Sequence, residues 1–439
     1  MSKSVTKDMT VGSPMRLIVS FFIPLLLGML FQQFYSMMDT IIVGRCLGVN
    51  ALAAVGSTGS VNFMIIGFCM GVCNGFAIPV AQRFGAKDQT GLRKFVANSV
   101  WLSIVFAVIM TIVTCILCRQ IMTWMRTPAD IFEDANTYIF IIFIGIPATY
   151  LYNLVSGIIR SLGDSRSPLF FLIVSSVLNI GLDFLFILTF HMGVAGAAWA
   201  TVISQAVSGI GCLFYMKHKF EILKIRPEEW KMDTKYMKIL CGMGIPMGLQ
   251  YSITAIGSVI LQTAVNTLGS SAVAAITAGS KVSMFFCCPY DAMGSTMATY
   301  AGQNVGAGKL DRVKKGMLSC CLLGLIYAVL AFVFLFFFGR YTALLFMEAS
   351  EKAILGNVTT FLLINSAFFF PLSLVNIIRF TIQGMGYSVL AICAGICEMV
   401  ARSIVGFVFV PMWGFVHPVE YDMSMIIWFE PSVTDLEAL

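Results

Sequence analysis

Charge is scarce in this chain of 439 residues. Asp, Glu, Lys and Arg together make up 11% of it, against about 25% in soluble proteins. Histidine is scarcer still: His191, His218 and His417 are the full set, and all three lie outside the interiors of the apolar runs. No D-D-x-x-D stretch and no His/Glu cluster accompanies them. A metal-dependent intramembrane transferase or hydrolase needs one or the other, so an enzyme is not expected. Cysteine is present, but in odd number, thirteen, and mostly within apolar runs, as at Cys69, Cys73, Cys287, Cys288, Cys393 and Cys397. There it reads as a small packing residue. Cys115-x-x-Cys118 has no second pair beside it, so neither a metal centre nor a cofactor is expected. What fills the space is hydrocarbon. The chain is 58% hydrophobic, with 37 Phe, 27 Met and a mean hydropathy of +0.88. That excludes a soluble domain, a disordered chain and a secreted disulfide scaffold, and predicts an all-α integral membrane protein.

A spanning helix needs about 20 apolar residues. Eleven runs qualify: 14–43, 53–82, 95–118, 136–159, 168–190, 195–216, 239–266, 272–302, 316–339, 355–383 and 389–411. With the N-terminus placed in the cytoplasm, and Arg16 at the mouth of the first run counted there, 20 of the 28 Lys and Arg fall on that side, five fall opposite, and Lys281, Arg379 and Arg402 fall within spans. In this count Arg160 belongs to the connection 160–167. The bias obeys the positive-inside rule. The net charge of +6 therefore reads as topology in a cell membrane, not as a nucleic-acid surface.

The chain repeats itself at a shift of about 221 residues. Ile23-Pro24 aligns with Ile245-Pro246. Leu47-Gly48-x-x-Ala51-Leu52-Ala53-Ala54 aligns with Leu268-Gly269-x-x-Ala272-Val273-Ala274-Ala275. Gln82-x-x-Gly85-Ala86 aligns with Gln303-x-x-Gly306-Ala307, and Gly163-Asp164-Ser165 with Gly386-Tyr387-Ser388. A unit of six helices returns the chain to the side it started from, so the copies are parallel repeats related by an axis along the membrane normal. The expected domains are an N-lobe at 1–216, a charged cytoplasmic linker at 217–238, a C-lobe at 239–411 and an acidic tail at 412–439. Two facing bundles suit alternating access to a cavity between them, hence a transporter rather than a channel.

Ionisable groups inside a membrane are expensive and mark function or a partner. Asp39 lies near the far end of the first span; Asn179 and Asp183 share a helix face at i,i+4; Thr201 falls at similar depth. Two carboxylates, an amide and a hydroxyl form a hard oxygen set for a proton or a small cation such as Na⁺, and two close carboxylates titrate as a pair. In the other half, Glu398 and Arg402 stand at i,i+4 and are expected to pair. Pro24 is a candidate hinge. Gln33, Met37, Met64, Met284, Phe285 and Asp291 are candidates for a substrate cavity, because Met and aromatic side chains make adaptable surfaces for flat or cationic ligands. Arg379 is expected to reach toward the cytoplasmic surface, and Asp291 to meet Lys281, water or a cationic ligand.

The doubled six-helix unit, Ile23-Pro24 with Asp39, the stretch 47–54, Gln82-x-x-Gly85-Ala86 and Asn179-x-x-x-Asp183 together resemble the multidrug and toxic compound extrusion (MATE) family, over about 14–411. The resemblance is closest to its bacterial DinF-like and multidrug-efflux branch. It implies twelve helices in two lobes and export of small-molecule drugs and organic cations against H⁺ or Na⁺, with Asp39, Asn179, Asp183 and Thr201 at the coupling site. A monomer in the lipid bilayer is expected. Two departures stand out. Where Na⁺-coupled NorM-type members carry a glutamate eight residues after the Ile-Pro proline, this chain has Thr254, which favours protons. And 417–439 holds Glu420, Asp422, Glu430, Asp435 and Glu437, so a twelfth span is not expected there. A lipid-linked precursor flippase of the wider superfamily is the alternative.

Overall fold

The computed structural model describes residues 6–266, 270–344 and 352–409; the expected acidic tail lies outside them. Those residues form fourteen α-helices and no strand. The first half contains α1 (Pro14–Leu47), α2 (Val49–Ser57), α3 (Gly59–Gly85), α4 (Gln89–Trp124), α5 (Phe132–Ile144), α6 (Ile146–Ser161), α7 (Arg166–Phe184) and α8 (Gly193–Lys219). The second contains α9 (Thr234–Asn266), α10 (Ser270–Gly306), α11 (Leu310–Ala343), α12 (Lys352–Ala367), α13 (Phe369–Met385) and α14 (Ser388–Ile404).

Eight helices are individually long and apolar enough to cross a membrane, and two bent pairs reach that length together. Those pairs correct the expectation of continuous runs at 136–159 and 355–383. The chain bends by 46° between α5 and α6 and by 50° between α12 and α13. Pro147 and Pro371 stand just past the two breaks, where each lacks the N–H that would carry the helix through. The run 53–82 is also divided: α2 stops at Ser57, and α3 begins after Thr58. The remaining expected run lies within α10. It packs against α1, α3, α11, α12 and α13 and buries Thr296, Gln303 and Asn304. A helix coated by protein needs no lipid-facing apolar surface. By contrast α11 exposes Phe334, Phe336, Phe337 and Phe338, as a lipid-facing helix does.

Local signals set the helix starts. Pro14 occupies the first turn of α1, while Ser13 makes no side-chain cap bond. Asp88 accepts from the Gly91 amide at 2.8 Å to open α4, and Asp164 accepts from the amides of Arg166 and Ser167 to open α7. The repeat survives in detail: α7 and α14 both run into one turn of π-helix, at Leu185–Thr189 and Val405–Phe409.

The buried side chains form two clusters. One draws on residues from Ile42 to Leu240. The other joins residues from Leu261 to Val405 with Met9, Leu17, Ile18, Phe21, Phe22 and Leu25. The first turns of α1 thus pack with the second half of the chain. Between the clusters, α3 and α9 approach through small residues. A Cβ added to Gly71 would lie 2.6 Å from the Met247 carbonyl oxygen, and one on Gly75 would lie 2.5 Å from Gly244 Cα.

The tightest seam lies at the end of the bundle that carries the N-terminus and most basic residues. There Gly85 closes on the Gln303 backbone and Gly306 on the Gln82 backbone, in reciprocal fashion. Gln82 Nε2 donates to the Gly384 carbonyl at 3.1 Å, and Gln303 Nε2 to the Ser161 carbonyl at 2.9 Å. Residues before α1 bind over this seam. The Lys7 amide donates to the Leu162 carbonyl. Met9 is 0% exposed; its amide donates to Gln303 Oε1 at 2.8 Å, and its carbonyl accepts from Asn304 and Arg312.

Candidate functional site

Three helices bring the four predicted oxygen-bearing residues together. Asp39 comes from α1, Asn179 and Asp183 from α7, and Thr201 from α8. Asp183 is 0% exposed and Asn179 1%. The i,i+4 spacing sets the two α7 side chains on one face, and the π turn begins two residues after Asp183. Asn179 Nδ2 donates to Thr201 Oγ1 at 3.3 Å, and Tyr35 Oη lies 3.2 Å from the same oxygen. The two carboxylates stand within hydrogen-bonding range of each other. When both are ionised neither carries a donor. Among the described residues nothing donates to Asp39 Oδ1, Asn179 Oδ1, Asp183 Oδ1 or Asp183 Oδ2, although all four atoms are buried. Buried acceptors left this way cost free energy. A proton on one carboxylate turns it into a donor to the other, and a small hard cation can engage several of these oxygens at once, so the residues fit either.

A cavity opens beside this cluster. It offers about 220 Å³ of room. An ordered water needs roughly 10–15 Å³ on the same measure, so the space is sized for an organic solute. Its walls come from α1, α3, α6, α7, α8, α9, α10 and α13. Pro24, the predicted hinge, lies on that wall within a continuous α1. Tyr35 lines the cavity and also meets Thr201; Ser175, one turn before Asn179, lines it too.

None of the six residues predicted for a cavity lines this one. On α1 the wall is Pro24, Leu25, Gly28, Met29, Gln32 and Tyr35, a stripe at helical spacing. Gln33 is one position, or 100°, out of phase with it. Gln33 turns toward Cys288 instead. Met37 and Phe285 are half-buried elsewhere, and Met284 is 51% exposed. Met64 contributes its carbonyl, which accepts from Ser252 Oγ. Asp291 stands within electrostatic range of Tyr251 and Arg379, and its charge partner is Arg379, not Lys281. Arg379 does not reach for the surface: its Nη2 donates to Asn376 Oδ1 at 2.7 Å, and its guanidinium lies over Phe380.

The residues that sequence reasoning missed are Arg160, Asn74, Tyr152 and Tyr251, all on the cavity wall. Arg160 is the penultimate residue of α6, not part of a connection. A signal existed: Tyr152, Ser156 and Arg160 recur every four residues on one helix face.

In the second half, at the positions equivalent to Ser175 and Asn179, Glu398 Oε1 and Arg402 Nη2 are 2.6 Å apart. Thr254 donates to Glu398 Oε2 at 3.3 Å, and Arg402 reaches Ser258 Oγ at 2.9 Å. Here the acid is answered by protein groups. In the first half it is not.

The MatE family model matches the chain twice, over 24–185 and 246–408, once per repeat. The chain belongs to the MatE family. The protein named Probable multidrug resistance protein YpnP of Bacillus subtilis (strain 168) is 30% identical over 373 residues, covering 84% of this chain and 82% of its own. A protein of Shewanella oneidensis named FAD transporter is 23% identical over 391 residues, covering 88% and 85%. The solved structure titled "Outward-facing conformation of a multidrug resistance MATE family transporter of the MOP superfamily" has a TM-score of 0.90 at 24% identity, covering 100% of this chain and 96% of that one. Its likeness establishes a shared fold. The MatE chain is thus a multi-span membrane transporter, all-helical, built on a doubled helical unit.

Proposed function

We propose that this MatE chain is a secondary active multidrug efflux transporter that exports aromatic compounds from the cytoplasm in exchange for protons. The observation that carries the reading is the set of four orphaned oxygens on Asp39, Asn179 and Asp183, joined to the cavity by Tyr35. A proton arriving at the carboxylate pair supplies the missing donor. It then changes what Thr201 and Tyr35 bond to, and Tyr35 is part of the cavity wall. Substrate and proton thereby bias the same helices, which is the differential interaction that coupling requires. Pro24 gives α1 a place to bend as that bonding changes.

The basic end of the bundle is cytoplasmic in this reading, by the positive-inside rule. The seam at Gly85, Gly306, Gln82 and Gln303 closes that end, so the arrangement described faces outward. The N-lobe and C-lobe rock apart at this seam to load cargo. Thr254 takes the place of a second carboxylate, and Arg402 holds Glu398, which supports one coupling site per chain. Protons are favoured over Na⁺ because the two acids face each other, where a proton on one donates to the other and removes one of two like charges. The names of the relatives support multidrug cargo.

The test is efflux of preloaded aromatic dyes of either charge, ethidium and fluorescein, from de-energised cells under an imposed inward gradient of protons or of Na⁺, with Asp39→Asn alongside. Proton-driven efflux that the substitution abolishes supports the reading. Efflux driven by Na⁺ alone would replace the coupling ion. Efflux untouched by Asp39→Asn would remove the carboxylates from the mechanism.

A further inference from the structure

The cavity has a sign. Among the described residues lining it, Arg160 is the one charged side chain; no Asp, Glu or Lys joins it. The rest of the wall mixes aliphatic and Met side chains, such as Leu25, Ile78 and Met247, with neutral polar and aromatic ones, among them Gln32, Asn74, Tyr152 and Tyr251. Among the described residues the Arg160 guanidinium donates to one acceptor, Asn74 Oδ1, at 3.3 Å from Nη2. Tyr152, Tyr251, Cys73 and Cys212 surround it, none of them an acid. The nearest acid in sequence, Asp164, is spent on the start of α7, and Asp291 sits by Arg379. A guanidinium offers five donors in a fixed fork, and a charge in such surroundings is costly without a counter-charge.

Resting on the transporter reading, we propose that the cavity selects flat aromatic solutes bearing a carboxylate or phosphate, with Arg160 as the anchor for that group. The guanidinium fork matches either group through two parallel hydrogen bonds. Tyr152 and Tyr251 offer ring faces to the aromatic part, and the neutral amides and hydroxyls let the rest of the solute vary. Organic cations meet a like charge with no acid on the wall to offset it. The Asp39–Asp183 pair stays behind Tyr35 for the coupling ion and is not part of the cargo wall. The candidate cavity residues inferred from sequence pointed to cationic cargo; the residues on the wall point to the opposite sign.

Two xanthene dyes carry the test: fluorescein, an anion with a carboxylate, and rhodamine 123, a cation on the same tricycle. Equilibrium binding of each to the purified full-length protein is read by fluorescence anisotropy, which needs neither a gradient nor turnover. The wild type is expected to bind fluorescein at least tenfold more tightly than rhodamine 123. Arg160→Gln should erase that preference and Arg160→Lys should keep part of it. Asn74→Asp leaves Arg160 in place but sets a carboxylate against it, and should erase the preference as well. This variant keeps the test alive if Arg160→Gln does not fold. Equal or tighter binding of rhodamine 123 by the wild type, no binding of fluorescein, or a preference that persists in both neutralised variants overturns the proposal. Failure of proton coupling would look different: Asp39→Asn would transport normally while the dye preference stayed intact.

Discussion

Closing the basic end brings two glycines onto opposing backbone, and a single methyl group is enough to oppose it. A Cβ on Gly306 would lie 1.8 Å from the Gln82 carbonyl oxygen, and one on Gly85 would lie 1.9 Å from the Gln303 carbonyl oxygen. Ordinary contacts begin near 3.4 Å, so the overlap is about 1.5 Å against backbone that no rotamer change can move. Overpacking of this kind costs about 1–3 kcal/mol. At 1.4 kcal/mol per factor of ten, Gly306→Ala should shift the population away from the closed seam by roughly 5- to 150-fold. The two contacts are released by one opening motion, so Gly85→Ala with Gly306→Ala should shift the equilibrium by less than the sum of the singles. The assay is the distance distribution between spin labels at Ala86 and Ala307 in a cysteine-free background. Gly242→Ala, where an added Cβ meets nothing within 4 Å, is the control and should match the parent. If Gly306→Ala leaves the distribution at the parental short distance in a folded protein, the seam is not the closing contact and the reasoning fails.

Further outcomes follow from other contacts. Tyr35→Phe removes the hydroxyl between Thr201 and the cavity; dye binding should persist within about twofold, roughly 0.4 kcal/mol, while dye movement per proton falls in proteoliposomes. Burial of Glu229 against Arg93, with contacts at 2.7 and 2.9 Å, ties the segment between α8 and α9 to the start of α4. Arg93 holds the Glu229 carboxyl below its ordinary value near 4.5. The contribution is therefore fully present above that value and is lost as pH falls through the depressed folded value. Amide exchange at 226–233 should accelerate only in that acidic window, and Glu229→Gln should make it fast already at neutral pH. Removing one partner with Glu229→Ala should cost about 3 kcal/mol, seen as a lower midpoint in thermal unfolding. Met9→Asp places a charge in a fully buried position against the seam, and should raise protease cleavage near Gly12 in the intact protein.

Much of the architecture was legible because the membrane imposes a coarse rule: long apolar runs, basic residues on one side, and a repeat whose glycines and prolines fall at equal intervals. The Asp39, Asn179, Asp183 and Thr201 cluster was legible for the same reason, as acids inside a membrane are rare and depth follows from topology. The cavity wall was not. Choosing between Gln32 and Gln33, or Met70 and Met64, requires the rotational phase of a helix, and a uniformly apolar helix such as α1 carries no amphipathic signal to set it. Arg160 was missed because a basic residue near a helix end counts toward topology as readily as toward a site. The docking of Met9 was hidden by its short polar surroundings, which read as a tail until Gln303 and Asn304 were seen to hold it.

The central claim is that cargo export is coupled to protons through one carboxylate pair. The direct measurement is proton movement in proteoliposomes loaded with a pH dye, with a transported dye added on one side and no gradient imposed. The account predicts a proton flux opposite to the dye flux, in a fixed ratio, that disappears in Asp39→Asn and in Asp183→Asn while dye binding remains. Dye movement with no accompanying proton flux in the wild type, or a flux that survives both substitutions, would contradict it.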